Sequence, residues 1–239
     1  MSSPATDRTA PTVLVVAAER GLGHAIAEQF LDKGWHVIGT VRPDIPRTKL
    51  HDLADAADGR VEIETLDINE PEQIAALRRR LAGRTLDTLF VTAGITTRYE
   101  HIPIGEVTTE EFNIVMLTNA LSPMRVIESL QDLVTPTGLI GAMSSGQGSI
   151  ANNDTGLREV YRGSKAALNQ FMRSFAVRQP EPGRSLLVMA PGWVRTHLGG
   201  PDAPYSISDT IPSLVNVMLA QLGTPGVQFL DWQGKTVPW

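Results

Sequence analysis

Tyr161 and Lys165 stand four residues apart in "VYRGSKAAL", and Tyr161, Lys165, Leu168, Met172 and Phe175 follow one another at intervals of four, three, four and three. On a helix that rhythm puts the phenol and the ammonium on the buried stripe rather than on the wet face. A lysine there needs a reason. An ammonium about 4 Å from a phenolic oxygen favours the phenolate by up to ~4 kcal/mol at an effective dielectric of about 20, enough to bring tyrosine into range for general acid–base work.

A second group lies in "VLVVAAERGLG", Val13 to Gly23, where a run of β-formers leads into Gly21-Leu22-Gly23 and then a helical pattern. A strand, a tight turn and a helix N-terminus present backbone N–H groups to a phosphate, although the same glycines also suit a turn with no ligand. Arg20 adds to the case for an anion, because a cation just before a helix N-terminus opposes the positive end of the macrodipole. Arg42, at the end of "VIGTVRP", falls where the chain passes the ribose of a bound dinucleotide, and a guanidinium there suits the 2′-phosphate of NADP. The alternatives are two ordinary surface arginines, or NAD with Asp44 on the ribose hydroxyl. Asp67, in "TLDIN", is either a cap for the adenine amino group or a turn aspartate.

These groups need a scaffold, and the hydrophobic pattern supplies one. Strands are expected at Thr12–Val16, His36–Val41, Val61–Leu66, Thr88–Thr92, Leu139–Met143, Leu186–Ala190 and Val227–Leu230. Helices are expected at Gly21–Lys33, Glu72–Leu81, Thr109–Leu117, Asn119–Leu133, Val160–Arg178 and Ile211–Leu222. The first, fourth and sixth strands are almost continuously Val, Leu or Ile, which fits strands covered on both faces. Strands alternating with helices in this way make an α/β Rossmann fold, a doubly wound parallel sheet of about seven strands whose ligand crevice opens at the strands' carboxyl ends. With 239 residues, 42% of them hydrophobic, residues 12–239 suffice for a single domain behind a flexible N-terminal tail at 1–11.

Composition excludes several classes. The formal charge of −5 argues against nucleic acid held on a broad basic surface, and the "LRRRL" run reads as a solvated helix face. There is no cysteine and the five histidines form no paired motif, so no metal site is expected. No signal-peptide core and no window of about 18 apolar residues is present, so a cytoplasmic location away from the membrane is expected.

Four motifs together resemble the short-chain dehydrogenase/reductase family over essentially the whole chain. "AERGLG" is similar to its cofactor loop, "TAG" (Thr92–Gly94) to its Asn-Asn-Ala-Gly motif, "YRGSK" to its catalytic YxxxK, and "PGWVRT" (Pro191–Thr196) to its nicotinamide-side loop. The resemblance implies Tyr161 as the acid for ketone reduction, with Lys165 lowering its pKa and holding the nicotinamide ribose. It implies Asn119 in a water relay and Ser145 orienting the substrate carbonyl, with Ser144 as the alternative serine. Cofactor contacts would fall at Ala17, Arg20, Gly21, Leu22, Gly23, Arg42, Asp67, Ile68, Ala93, Gly94, Tyr161, Lys165, Pro191, Gly192, Val194 and Thr196. Substrate contacts would fall at Ser145, Gln147 and Trp193.

The interval of sixteen positions from Ser145 to Tyr161, longer than in many members, carries "NNDTGLREV". This loop, "PGWVRTHLGG" and "FLDWQGKTVPW" resemble the C-factor-like and sniffer-type carbonyl reductases. That branch implies NADPH more than NADH, a small carbonyl or alcohol substrate, and a homodimer or homotetramer. The chain departs from the family pattern at Val16, Ala17, Val91 and Thr92, all on the cofactor side. An alanine forced to positive φ there is expected to weaken cofactor binding by about 1–2 kcal/mol. The competing reading is a nucleotide-binding regulatory protein of the same fold. Lys165, Gly21 and Gly23 argue against a dehalogenase-like lyase, and the short segment after Gly199 against a sugar-nucleotide epimerase.

Overall fold

Val13 to Val16 are wholly buried on a strand, and successive side chains leave it in opposite directions, so this one segment nucleates two cores. Leu14 and Val16 join the cluster on one side of the sheet, whereas Val13 and Val15 join the other. A computed structural model of the chain describes residues 10–179 and 183–239. Most of the tail expected at 1–11 lies outside the described residues.

The strands are β1 (Thr12–Val16), β2 (His36–Val41), β3 (Val61–Thr65), β4 (Leu86–Val91), β5 (Val134–Met143), β6 (Ser185–Ala190) and β7 (Gly226–Asp231). All pair in parallel in the order β3-β2-β1-β4-β5-β6-β7. The helices are α1 (Gly21–Asp32), α2 (Lys49–Asp55), α3 (Pro71–Arg80), α4 (Thr109–Met116), α5 (Ser122–Leu130), α6 (Glu159–Arg178) and α7 (Ile207–Gln221). Ile26 and Phe30 of α1 and Leu214, Val215 and Met218 of α7 cover one face, while Leu77 of α3, Ile127 of α5 and Met172 of α6 cover the other. This is the doubly wound Rossmann-type domain expected from the pattern. The chain order reverses between β1 and β4, so their carboxyl ends open the crevice.

Three local features differ from the sequence reading. Helix α2 was not expected. It is polar enough to show no clear stripe, but Leu50 is fully buried and the Thr48 N–H donates to His51 Nδ1 at 3.1 Å, closing its first turn. Strand β5 begins five residues early, at Val134, and its register against β4 shifts between Leu86 and Thr88. The helix expected from Asn119 is interrupted by a π turn at Leu117–Leu121, where the Ser122 N–H reaches the Leu117 carbonyl. Pro123 follows and has no N–H to give the Asn119 carbonyl, which favours that wider turn. Among the described residues no helix is long and apolar enough to cross a membrane.

Candidate active site

The turn after β1 is fixed from both sides. The Ala17 N–H donates to Thr40 Oγ1 of β2 at 2.9 Å, and Thr92 Oγ1, just past β4, donates to the carbonyls of Val16 at 2.7 Å and Ala17 at 3.0 Å. Ala17 takes φ +65°, the left-handed conformation that the glycine-free sequence put in question. Gly23 is required by contact, since a β-carbon on it would lie 2.2 Å from the Ala17 carbonyl. Gly21 has φ +57° and open space beside it. The loop can therefore meet a ligand through its backbone.

Helix α1 has no acidic residue in its first turn, and Arg20 precedes it with an exposed side chain and no ion pair to a described residue. Glu19 is a residue the sequence reading overlooked. Buried in the loop, it accepts from the Arg42 N–H at 3.1 Å and from Arg42 Nε at 3.2 Å. The Arg42 side chain stays 47% exposed, so its terminal nitrogens face solvent from a fixed stem. Asp44 is exposed beyond that pair. Asp67 accepts the Asn69 N–H at 2.8 Å, as a turn aspartate does, and Ile68 is buried in the core, so only its backbone is open to a ligand.

Four side chains expected to do chemistry come together across β4, β5 and α6. Tyr161 and Lys165 are buried on α6, where the sequence stripe put them. Lys165 Nζ donates to the Met143 carbonyl at 2.9 Å, and a β-carbon on Gly94 would lie 3.1 Å from Nζ and 3.5 Å from Asn119 Oδ1. Asn119 is wholly buried on the π turn. Its Oδ1 accepts the Ile95 N–H at 2.8 Å, while Nδ2 donates to the Ile95 carbonyl at 2.7 Å and to Ser164 Oγ at 2.9 Å. The two serines separate: Ser144 Oγ donates to Asn169 Oδ1 at 2.6 Å in the interior, whereas Ser145 lies beside the Tyr161 phenol, acting to lower its pKa, and accepts the Gln147 N–H at 3.1 Å.

The electrostatics differ from expectation. Burial holds the Tyr161 phenol above its ordinary pKa, opposed by the Arg158 cation and the Ser145 hydrogen bond. Lys165 Nζ lies 5.9 Å from the phenol ring centroid, farther than Arg158 Cζ at 4.6 Å, and burial brings the lysine down to about 8. Desolvation thus sets the direction for the phenol, opposite to the lowering that spacing alone suggests.

The remaining expected contacts line the rim. Ala93 and Gly94 are half-buried after β4. Pro191 and Val194 are buried; Gly192 is exposed, and Thr196 Oγ1 accepts the Gly199 N–H at 3.0 Å. Trp193 is 54% exposed, with Nε1 donating to the Gly199 carbonyl at 2.7 Å. The buried Gln147 Oε1 has no hydrogen-bond partner among the described residues.

A family model described as enoyl-(acyl carrier protein) reductase matches residues 16–210. The chain belongs to the short-chain dehydrogenase/reductase family and is an oxidoreductase. A Burkholderia multivorans protein described as a short-chain dehydrogenase/reductase, solved with bound NADP, is 58% identical with a TM-score of 0.95, over 97% of this chain and 100% of that one. A carbonyl reductase from Pseudomonas aeruginosa PAO1 in complex with NADP is 33% identical with a TM-score of 0.88, over 97% and 100%. The 1-hydroxy-2-glutathionyl-2-methyl-3-butene dehydrogenase of Rhodococcus sp. strain AD45 is 33% identical over 190 residues, 78% of this chain and 79% of that protein.

Proposed function

We propose that this chain is an NADPH-dependent carbonyl reductase. The observation that carries the reading is the buried Tyr161 phenol beside Ser145, one helical turn from a Lys165 that meets Gly94, two residues past the Thr92 hydroxyl that holds the β1–α1 loop. The loop fits a dinucleotide: Gly21 is open, α1 begins without an acidic residue, and Arg20 lacks an anion among the described residues. Arg20 and the terminal nitrogens of Arg42 receive a 2′-phosphate, with Glu19 holding the Arg42 stem. Once bound, the cofactor supplies a hydride to the carbonyl carbon.

The protein's own groups do the rest. Ser145 donates to the substrate oxygen and fixes its position, and Tyr161 delivers the proton to that oxygen as charge develops on it. A phenol held above its ordinary pKa is protonated throughout the neutral range, as an acid for the reductive direction must be. Lys165, anchored on the Met143 carbonyl, holds the nicotinamide ribose, and Asn119 orders the relay that returns a proton to Tyr161.

The reading is tested by NADPH consumption against ketones, aldehydes and diketones. Turnover of any of them supports it. Nucleotide binding without turnover across the panel overturns it in favour of a regulatory role.

A further inference from the structure

Arg158 lies in the loop that lengthens the interval between Ser145 and Tyr161, and the proposed reaction gives it no part beyond its opposition to the raised Tyr161 pKa. It is one of three non-glycine residues at positive φ among the described residues, at +60°, immediately before α6. A β-carbon is strained there, and such strain persists only where surrounding contacts fix it. The contacts are present. The Arg158 N–H donates to the Glu100 carbonyl at 3.1 Å, and Nη2 donates to Glu100 Oε1 at 2.7 Å and to Thr96 Oγ1 at 3.4 Å. Its side chain is only 14% exposed, and the buried Nε has no partner among the described residues.

This geometry spreads the guanidinium over the Tyr161 ring, 4.6 Å from its centroid. We propose that Arg158 is a second cation of the proton-transfer site, stabilising the Tyr161 phenolate, and that Glu100 positions it and moderates its charge. The proposal rests on Tyr161 being the proton donor. Three charged groups face that tyrosine: Lys165 from the same helix, Arg158 from its N-terminus, and Glu100 from the loop after β4.

The division of labour follows from their chemistry. Burial brings Lys165 down to about 8, so it loses its charge in mildly alkaline solution, whereas a guanidinium stays charged at every working pH. Arg158 lowers the Tyr161 pKa and Glu100 raises it, and burial remains the larger effect. No bond is made or broken at Arg158 in either direction of the reaction. Its positive charge favours the deprotonated tyrosine left after proton donation, or the base needed for alcohol oxidation.

The test is the pH profile of kcat/KM for alcohol oxidation with NADP, which rises as Tyr161 ionises, paired with the phenolate absorbance of Tyr161 read as the difference from Tyr161→Phe. Arg158→Gln should move both midpoints up by at least about half a pH unit. Arg158→Lys should restore them. Glu100→Gln, which keeps a partner for Arg158 but removes the negative charge, should move them down. Opposite shifts are the signature, because damage to packing has no reason to reverse sign between the two variants. If Arg158→Gln leaves the midpoint in place or lowers it, or if both variants shift it the same way, the proposal is overturned. Should Arg158→Gln not fold, Glu100→Gln decides alone through the sign of its shift. The absorbance titration needs no substrate, so a failure of the carbonyl-reductase reading stays distinguishable from a failure of this one.

Discussion

Ala17 shows how a single residue divides its effect between folding and binding. The sequence suggested that its β-carbon would weaken the cofactor site, and the turn does stand at φ +65°, held by Thr40 and Thr92. Contacts within the sheet thus hold the strained residue in place. Ala17→Gly should relieve about 1 kcal/mol of native strain while loosening the unfolded chain by a similar amount, so stability in denaturant should change by less than about 1 kcal/mol. Its NADPH dissociation constant, read by fluorescence titration, should change by less than about twofold, since the Thr40 and Thr92 hydroxyls, rather than a ligand, fix the turn. A severalfold tightening would show that the loop rearranges when the nucleotide arrives. At this scale the alanine was legible and its consequence was not, because the outcome depended on hydroxyls 23 and 75 residues away.

Elements were read from the sequence in proportion to how much of their stability is local. The strands appeared because β-branched runs buried on both faces leave no other pattern, and α6 appeared because its stripe runs unbroken from Tyr161 to Phe175. Helix α2 was hidden because one buried leucine and a cap hold it, and the π turn because Pro123 disturbs a register that otherwise reads as continuous helix. The proposed discrimination between cofactors also belongs to elements, since the β1–α1 loop brings Arg20 and the end of β2 brings Arg42. Replacing both with alanine should weaken NADPH by about 2–4 kcal/mol and NADH much less, measured by titration with each nucleotide. An equal loss for both nucleotides would remove the 2′-phosphate from this place. Arg42 was legible as a candidate. The Glu19 carboxylate that fixes it was not, because nothing local marks a loop glutamate as buried.

At the scale of the whole molecule, the site depends on contacts between distant parts of the chain. Trp239 lies between the Arg173 guanidinium, 4.8 Å from its ring, and the Phe229 ring at 5.3 Å, and its carbonyl accepts the Ile150 N–H at 2.7 Å. It thereby pins the loop that leads to Arg158. Trp239→Ala should lower stability by about 2 kcal/mol in denaturant unfolding and speed proteolysis between Ile150 and Leu157; unchanged stability and cleavage would mean that the loop holds itself. Such links join distant parts of the chain, as the Arg158–Glu100 pair does over 58 residues, and periodicity carries no trace of them. These parts assemble the proposed carbonyl reductase, whose proton comes from Tyr161. Its most direct test is the rate of carbonyl-dependent NADPH oxidation by the wild-type protein and by Tyr161→Phe, with NADPH binding measured on both. Turnover is expected from the wild type, and a loss of at least about a hundredfold in the variant, with NADPH affinity nearly unchanged. Comparable turnover by the two proteins, or no turnover of any carbonyl by the wild type, would contradict it.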